Sequence, residues 1–556
     1  MENNQVIMVV LDGWGIAPPG PGNAISQAQP PNFTRFWASF PHTQLLASGE
    51  SVGLPKGEDG NTETGHLNLG AGRIIYQNLQ RINMSIADGS FFENKVLKDA
   101  FVHAKNNGSN VHMMGLVGAG GVHSNIEHLF ALLRFAKNEN FMKVYLHLFT
   151  DGRDSAPTSA RTYISQVHEV IKRENVGIIA SIMGRYWAMD RDLRWDRTAK
   201  AYFALTKGAG SKVSTPEEAI ESSYNQGKTD EFIEPSLIVD SLGNPLATIK
   251  SNDSIIFFNF RVDRPRQLSR AFVLKDFEKQ TAAMEFDPYR IKYEKSHLVT
   301  TDTTRPTFER GAPLSNLYFV TMTEYEKILV ENGAKVAYAP ELINMPLGRI
   351  ISENNLKQLR AAESEKERFV TYYFNGLQGD FAKQENLIVP SPKVPTYDLK
   401  PEMSAHELTK EIIERLKNNG YSFALVNFAN ADMVGHTGNI GAAVTACKVI
   451  DDCIGGLANF ILAYGGYLIL TADHGNVEEM INLETGAIDT EHSTFPVPFV
   501  VISKEFLNKP FTLEVGILAD VSPTILSLLG ITPPIEMTGR NLLGKISETA
   551  KKKHFF

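Results

Sequence analysis

Eight short stretches of the chain are almost wholly apolar: 5–11, 111–117, 144–150, 254–260, 317–322, 422–429, 467–471 and 498–503. Each is rich in Val, Ile, Leu or Phe, and none alternates apolar with polar positions. Strands buried on both faces have this pattern, and a parallel sheet covered by helices on either side produces it. Between these runs the apolar spacing lengthens to the helical period. Segment 405–419 is the clearest case: Ser404 and Glu407 stand in capping-box positions, Leu408, Ile412, Ile413 and Leu416 share one face, and Gly420 follows. A second long helix is predicted over 441–464. The alternation predicts an α/β fold with a doubly wound sheet, without internal repeats or low-complexity segments.

Polar residues gather where the predicted strands end. Asp12 closes the first run, Gly118 to His123 follows the second and Asp151-Gly152-Arg153-Asp154 the third. Asn259 and Arg261 to Arg264 close the fourth, Asn430 to Asp432 the sixth, and Asp473-His474-Gly475-Asn476 the seventh. One such aspartate is ordinarily the cap of the next helix. A whole series suggests a site, because open α/β sheets bind ligands beyond the carboxyl ends of their strands.

Size and charge narrow the possibilities. A chain of 556 residues, 43% apolar and 21% charged, is globular and longer than one core usually serves, which predicts two or three domains. The net charge of −8 argues against a general binder of nucleic acid or anionic membrane. Cys447 and Cys453 match neither a disulfide framework nor a Cys-x-x-Cys pair, which fits a reducing compartment. Met1 to Asn4 lacks the basic flank of a signal peptide, and no apolar run approaches the roughly 20 residues that span a bilayer. The terminal Lys551-Lys552-Lys553 run reads as a solvated tail. A soluble, cytoplasmic protein, monomeric and without nucleic-acid or membrane partners, is the expectation.

Several of the strand-end residues suit a metal. Asp432-Met433-Val434-Gly435-His436 places a carboxylate and an imidazole one helical turn apart. Asp473-His474 closes a very apolar strand, where an unpaired carboxylate would be costly unless a cation or donors met it. His492 precedes another apolar run. Mixed Asp and His ligands with a hydroxyl suit Mn²⁺ or Zn²⁺, and Mg²⁺ less well. Two such ions would neutralise a phosphoryl group in transfer and activate an alcohol, which requires a nucleophile. The glycine-bracketed loop Gly60-Asn61-Thr62-Glu63-Thr64-Gly65-His66 offers hydroxyls, although taken alone it also reads as an ordinary turn.

These motifs, together with Val10-Leu11-Asp12-Gly13-Trp14-Gly15, Gly120-Gly121-Val122-His123-Ser124, Gly184 to Asp192 and Phe258-Asn259-Phe260-Arg261-Val262-Asp263-Arg264, resemble the cofactor-independent phosphoglycerate mutases of the alkaline phosphatase superfamily. The resemblance runs from about residue 5 to residue 543, and is least distinctive between 276 and 345. It implies a phosphatase-like domain, 1–76 with 340–556, split by an inserted α/β transferase domain, 77–339. It implies that Asp432, His436 and His492 hold one metal, that Asp12, Asp473 and His474 hold the other, and that Thr62 touches metal. It assigns His123, Arg153, Asp154, Arg185, Arg191, Arg261 and Arg264 to the substrate, and Lys366 to the phosphoryl group and the nucleophile. Five arginines in an acidic chain agree with this, because guanidinium groups clamp phosphate and carboxylate bidentately.

Two positions depart from the family pattern: Thr62 stands where the nucleophile is usually Ser, and Ala119 where many members carry Asp. The expected reaction interconverts 3-phosphoglycerate and 2-phosphoglycerate in glycolysis and gluconeogenesis through a phosphoenzyme on Thr62. Asp154 is the expected acid and base, and two divalent ions, Mn²⁺ first among Mg²⁺, Co²⁺ and Zn²⁺, are the expected cofactors, with no 2,3-bisphosphoglycerate. Exclusion of water by closure between the domains, hinged near 76 and 340, is part of this expectation. The alternatives are a metal-dependent phosphatase or other phosphomutase with the same core, and a non-catalytic phosphoglycerate-binding homologue.

Overall fold

A computed structural model describes residues 5–279, 307–482 and 485–544. The first four residues, the Lys551–Lys553 tail and residues 280–306 of the indistinct region lie outside them. The chain divides into two compact units, Met1–Gln77 with Leu342–Phe556, and Asn78–Glu341. Each has an α/β architecture around an eight-stranded sheet.

The sheet of the first unit has the order Gln384–Val389, Gln358–Glu363, Phe423–Phe428, Val6–Leu11, Tyr467–Thr471, Val497–Ile502, His42–Leu46 and Gly516–Ile517. Pairing is parallel except on the two sides of Val497–Ile502. The central strands are buried along their whole length, as their apolar composition requires. Leu11 pairs with Phe428 and Val10 with Thr471, so three adjacent strands end level. Asp12, the helix Asn430–Gly435 and Asp473-His474 therefore leave the sheet at one edge. Val497–Ile502 runs the other way, so the segment entering it, which carries His492, reaches the same edge.

The second unit repeats the principle. Its order is Lys335–Tyr338, Tyr318–Thr323, Ser254–Phe257, Val111–Val117, Val144–Thr150, Ile178–Gly184, Ser236–Ile238 and Ser211–Val213, with one antiparallel pairing, between Ile178–Gly184 and Ser236–Ile238. Val117 pairs with Thr150 and Thr150 with Gly184, which brings the loops after these strands together.

Two local expectations are corrected. Ser404 does precede a helix, Ala405–Asn419, but it makes no side-chain cap; its hydroxyl donates to the Pro390 carbonyl instead. The strand predicted over 254–260 stops at Phe257, and beyond it the Asn259 side chain accepts the Leu116 N–H. The long helix spans Ile440–Tyr464 and carries both cysteines, free and buried. No helix of the described residues is long and apolar enough to cross a membrane.

Candidate metal centre and arginine cluster

In the first unit Asp12, Asp432 and Asp473 converge with one fully buried cation. Lys366 Nζ lies 2.8 Å from Asp12 Oδ1 and 2.7 Å from Asp432 Oδ2. Burial opposes its charge, yet the carboxylates of Asp12, Asp432 and Asp473 outweigh burial and hold the amine protonated. The Lys366 ammonium alone does not balance three carboxylates, and among the described residues Asp473 Oδ2 accepts no hydrogen bond. Burial alone would also depress His474, but Asp473, Asp12 and Asp432 raise it to about 10.

The imidazoles are oriented as metal ligands are. His436 Nδ1 donates to the Thr490 carbonyl at 2.7 Å, His492 Nδ1 to the Gly60 carbonyl at 2.8 Å, and His474 Nδ1 faces the Gly475 carbonyl at 3.2 Å. A proton fixed on Nδ1 turns the Nε2 lone pair toward the cluster. His436 Nε2 and His492 Nε2 lie 3.1 and 3.3 Å from Asp432 Oδ1, and His474 Nε2 lies 3.4 Å from Asp12 Oδ1 and 3.5 Å from Asp473 Oδ2. Two sets of potential ligands have atoms close enough to share an ion: Asp432, His474 and His492, and Asp12, His66 and Asp473. Buried carboxylates in excess, with imidazole nitrogens turned toward them, fit divalent cations, which would take the place of the protons these carboxylates hold on His474 and His436.

Thr62 is the first residue of the helix Thr62–Ala71, whose Asn61 cap accepts the Thr64 N–H. Its Oγ1 is 2.9 Å from His474 Nε2 and 3.3 Å from Lys366 Nζ, in a position where a helix N-terminus favours negative charge. Thr64 points elsewhere, its hydroxyl accepting from Gln77.

In the second unit the loops after the strands bring basic and acidic side chains together. Arg185 Nη1 bridges Asp151 and Asp154 at 2.5 Å each, and is buried. Asp263 holds Arg191 at 2.6 Å, Arg261 at 3.1 Å and His123 at 3.5 Å; burial would raise its pKa, but His123 and the arginines hold it below the usual carboxylate range. His123 is depressed by burial, with Arg185, Arg261 and Arg264 adding to the effect against the pull of Asp263, so it is neutral near pH 7. Burial, reinforced by Arg185 and Arg191, lowers Arg264 to about 10. Guanidinium groups crowded this closely favour an anion among them. Arg153 is more exposed and faces Glu231 at 3.7 Å; Lys366 lies among the carboxylates of the first unit.

The model of the family described as BPG-independent PGAM N-terminus matches residues 82–327. A 2,3-bisphosphoglycerate-independent phosphoglycerate mutase of Moorella thermoacetica is 47% identical over 544 residues, 98% of this chain and 99% of that protein. The chain belongs to this family of mutases. A second 2,3-bisphosphoglycerate-independent phosphoglycerate mutase, from Clostridium beijerinckii, is 46% identical with the same coverage. The phosphoglycerate mutase of Leishmania mexicana, crystallised at low cobalt concentration, is 26% identical and superposes with a TM-score of 0.58 over 97% of each chain.

Three residues of this mutase contribute to these arrangements without having been singled out in the sequence. His66 Nδ1 donates to the Thr62 carbonyl at 3.0 Å and lies 3.3 Å from Asp473 Oδ2, while its Nε2 accepts from Asn427. Its spacing of four from Thr62 on one helix was the available signal. Asp263 lies between Arg261 and Arg264, where a single acidic residue has no pattern of its own. Glu478 had no signal, because a glutamate beside Glu479 reads as solvated surface.

Proposed function

We propose that this chain interconverts 3-phosphoglycerate and 2-phosphoglycerate through a phosphoenzyme on Thr62, as a step of glycolysis and gluconeogenesis. The observation that carries the assignment of Thr62 is its hydroxyl, set at a helix N-terminus between His474 Nε2 and Lys366 Nζ. Asp12, Asp432, His436, Asp473, His474 and His492, with Thr62, are the proposed holders of two divalent ions, Mn²⁺ first and Mg²⁺, Co²⁺ or Zn²⁺ as substitutes. When bound, the ions lower the pKa of the Thr62 hydroxyl and neutralise charge on the phosphoryl oxygens.

The residues divide the remaining work. Thr62 Oγ1 attacks phosphorus, forming the O–P bond to threonine as the bond to the C3 oxygen of 3-phosphoglycerate breaks. Lys366 offsets charge on the nucleophile and the transferring group. Arg185, Arg191, Arg261 and Arg264, with Arg153, clamp the phosphate and carboxylate of the substrate, and neutral His123 adds a hydrogen bond. Asp154 protonates the C3 alkoxide, then removes the proton of the C2 hydroxyl as that oxygen attacks phosphothreonine and releases Thr62. The second unit thus supplies the substrate residues within 77–339, and the first the nucleophile, lysine and metal ligands within 1–76 and 340–556. A monomer in the cytoplasm, working without 2,3-bisphosphoglycerate, nucleic acid or membrane, completes the reading.

A single assay tests it. The purified protein is supplied with 3-phosphoglycerate but no 2,3-bisphosphoglycerate, with and without chelator, and both 2-phosphoglycerate and free phosphate are measured. The expected outcome is 2-phosphoglycerate with little free phosphate, abolished by chelator and restored by Mn²⁺. Free phosphate as the main product would make the protein a phosphatase, and absence of metal-dependent turnover would make it a binding homologue.

A further inference from the structure

Glu478 is 3% exposed, and among the described residues no basic side chain pairs with it. A buried carboxylate is a costly way to stabilise a core, and a well-packed apolar side chain usually serves as well. Its hydrogen bonds give it another role. Oε2 accepts the Gly15 N–H at 2.9 Å and the Asn476 N–H at 2.9 Å, while Oε1 accepts the Ser493 hydroxyl. Each donor belongs to a different ligand-bearing loop: Gly15 follows Asp12, Asn476 follows Asp473-His474, and Ser493 adjoins His492.

The surroundings are shaped to let this carboxylate in. A Cβ at Gly15 or at Gly475 would collide with the Glu478 carboxyl group, so both loops approach it as closely as glycine allows. Further bonds extend from the same junction. Ser493 N–H donates to the Gly475 carbonyl at 3.0 Å, and the Asn476 side chain donates to Asp432 Oδ1 at 3.1 Å. Both oxygens are engaged by donors, and Glu478 belongs to neither set of residues close enough to share an ion.

We propose that Glu478 is a positioning residue that locks the loops of Asp12, His474 and His492 to one another and so presets the metal centre. The inference rests on the metal reading given above. Three loops leaving a sheet edge have three independent ways to relax, and a shared acceptor removes that freedom before the ion arrives. The ordering cost is then met on folding, and does not weaken metal binding.

The full-length protein, stripped with chelator and dialysed, is titrated with Mn²⁺ by calorimetry, and thermal midpoints are recorded on the same samples before metal is added. Glu478→Ala is expected to weaken Mn²⁺ binding by about 10 to 100-fold. Glu478→Gln is expected to recover most of that loss, because the amide oxygen still accepts from Gly15 and Asn476 and the amide N–H₂ meets the Ser493 oxygen. Ser493→Ala releases only the His492 loop and is expected to weaken part of the titration. A folded Glu478→Ala protein with wild-type Mn²⁺ affinity, whatever its midpoint, would overturn the proposal, as would a Gln variant as impaired as Ala. If the Ala variant does not fold, unchanged affinity in Ser493→Ala overturns it. Failure of the wild-type protein to bind Mn²⁺ would overturn the metal reading and this inference with it, whereas failures confined to the variants overturn this inference alone.

Discussion

The proposed nucleophile is Thr62, and its β-branch makes a specific difference. A threonine χ1 is stiffer than that of serine, and an additional methyl next to the attacking oxygen crowds an in-line approach to phosphorus. The hydroxyl is already engaged by His474 and Lys366, so a smaller residue loses none of these contacts. Thr62→Ser is therefore expected to retain or raise the rate, by up to about tenfold, which corresponds to about 1.4 kcal/mol of barrier. Thr62→Ala is expected to abolish transfer and leave far-ultraviolet circular dichroism unchanged. Stopped-flow measurement of 2-phosphoglycerate formation checks both, and robust turnover by the alanine variant would move the nucleophile to Thr64 or to water. From the loop alone Thr62 was legible only as a candidate hydroxyl beside Thr64, and the family resemblance is what singled it out. The geometry separates the two, because the Asn61 cap starts the helix at Thr62 and turns Thr64 toward Gln77.

At the scale of elements, the apolar strands were legible and the polar ones were not. Val6–Leu11 and Val111–Val117 announce themselves because both faces are buried in packed side chains. Gln358–Glu363 is equally buried but its Gln, Arg and Glu read as surface; Arg360 is accommodated against the rings of Phe374 and Phe423, 5.0 and 5.3 Å from their centroids. Such compensation arises from residues distant in sequence and leaves no local pattern. The same strand ends in Glu363 and delivers Lys366 on the following turn, Ser364–Lys366. Glu363 accepts the Ser404 N–H, which explains why the capping-box reading of Ser404 failed. Burial raises the Glu363 carboxyl to about 7. The folded chain thus holds a proton that the unfolded chain releases above its ordinary pKa of 4.5. The resulting stability is fully present below that value and is lost as pH rises through about 7. Glu363→Gln mimics the protonated form, so between pH 5 and pH 8 it is expected to lose less stability than wild type, by at most about 3 kcal/mol. Urea unfolding in chelator at both pH values measures this, and parallel losses in the two proteins would refute the assignment.

At the scale of the whole molecule, every proposed metal ligand lies in one unit and every arginine of the cluster in the other. Each unit also has its own core: one built around Val6–Leu11, Phe423–Phe428 and the helix Ile440–Tyr464, the other around Val111–Val117, Val144–Thr150 and the helix Ile126–Asn138. The split in sequence was legible only through family resemblance, because composition does not change across the junctions. Units with separate cores unfold as separate cooperative blocks. A ligand that binds only one native block stabilises that block, by about 2.7 kcal/mol when present at a hundred times its dissociation constant. Calorimetry of the full chain is therefore expected to resolve two transitions, with Mn²⁺ raising one and chelator lowering it. The other should coincide with that of the isolated segment 78–341, which carries the arginines but none of the proposed metal ligands. A single transition, or an equal shift of both on adding Mn²⁺, would show that stability is shared across the junctions. The proposed substrate residues and the proposed nucleophile sit on units with cores of their own, so a change within one, such as Thr62→Ser, is expected to alter the chemical step without loosening the arginine cluster.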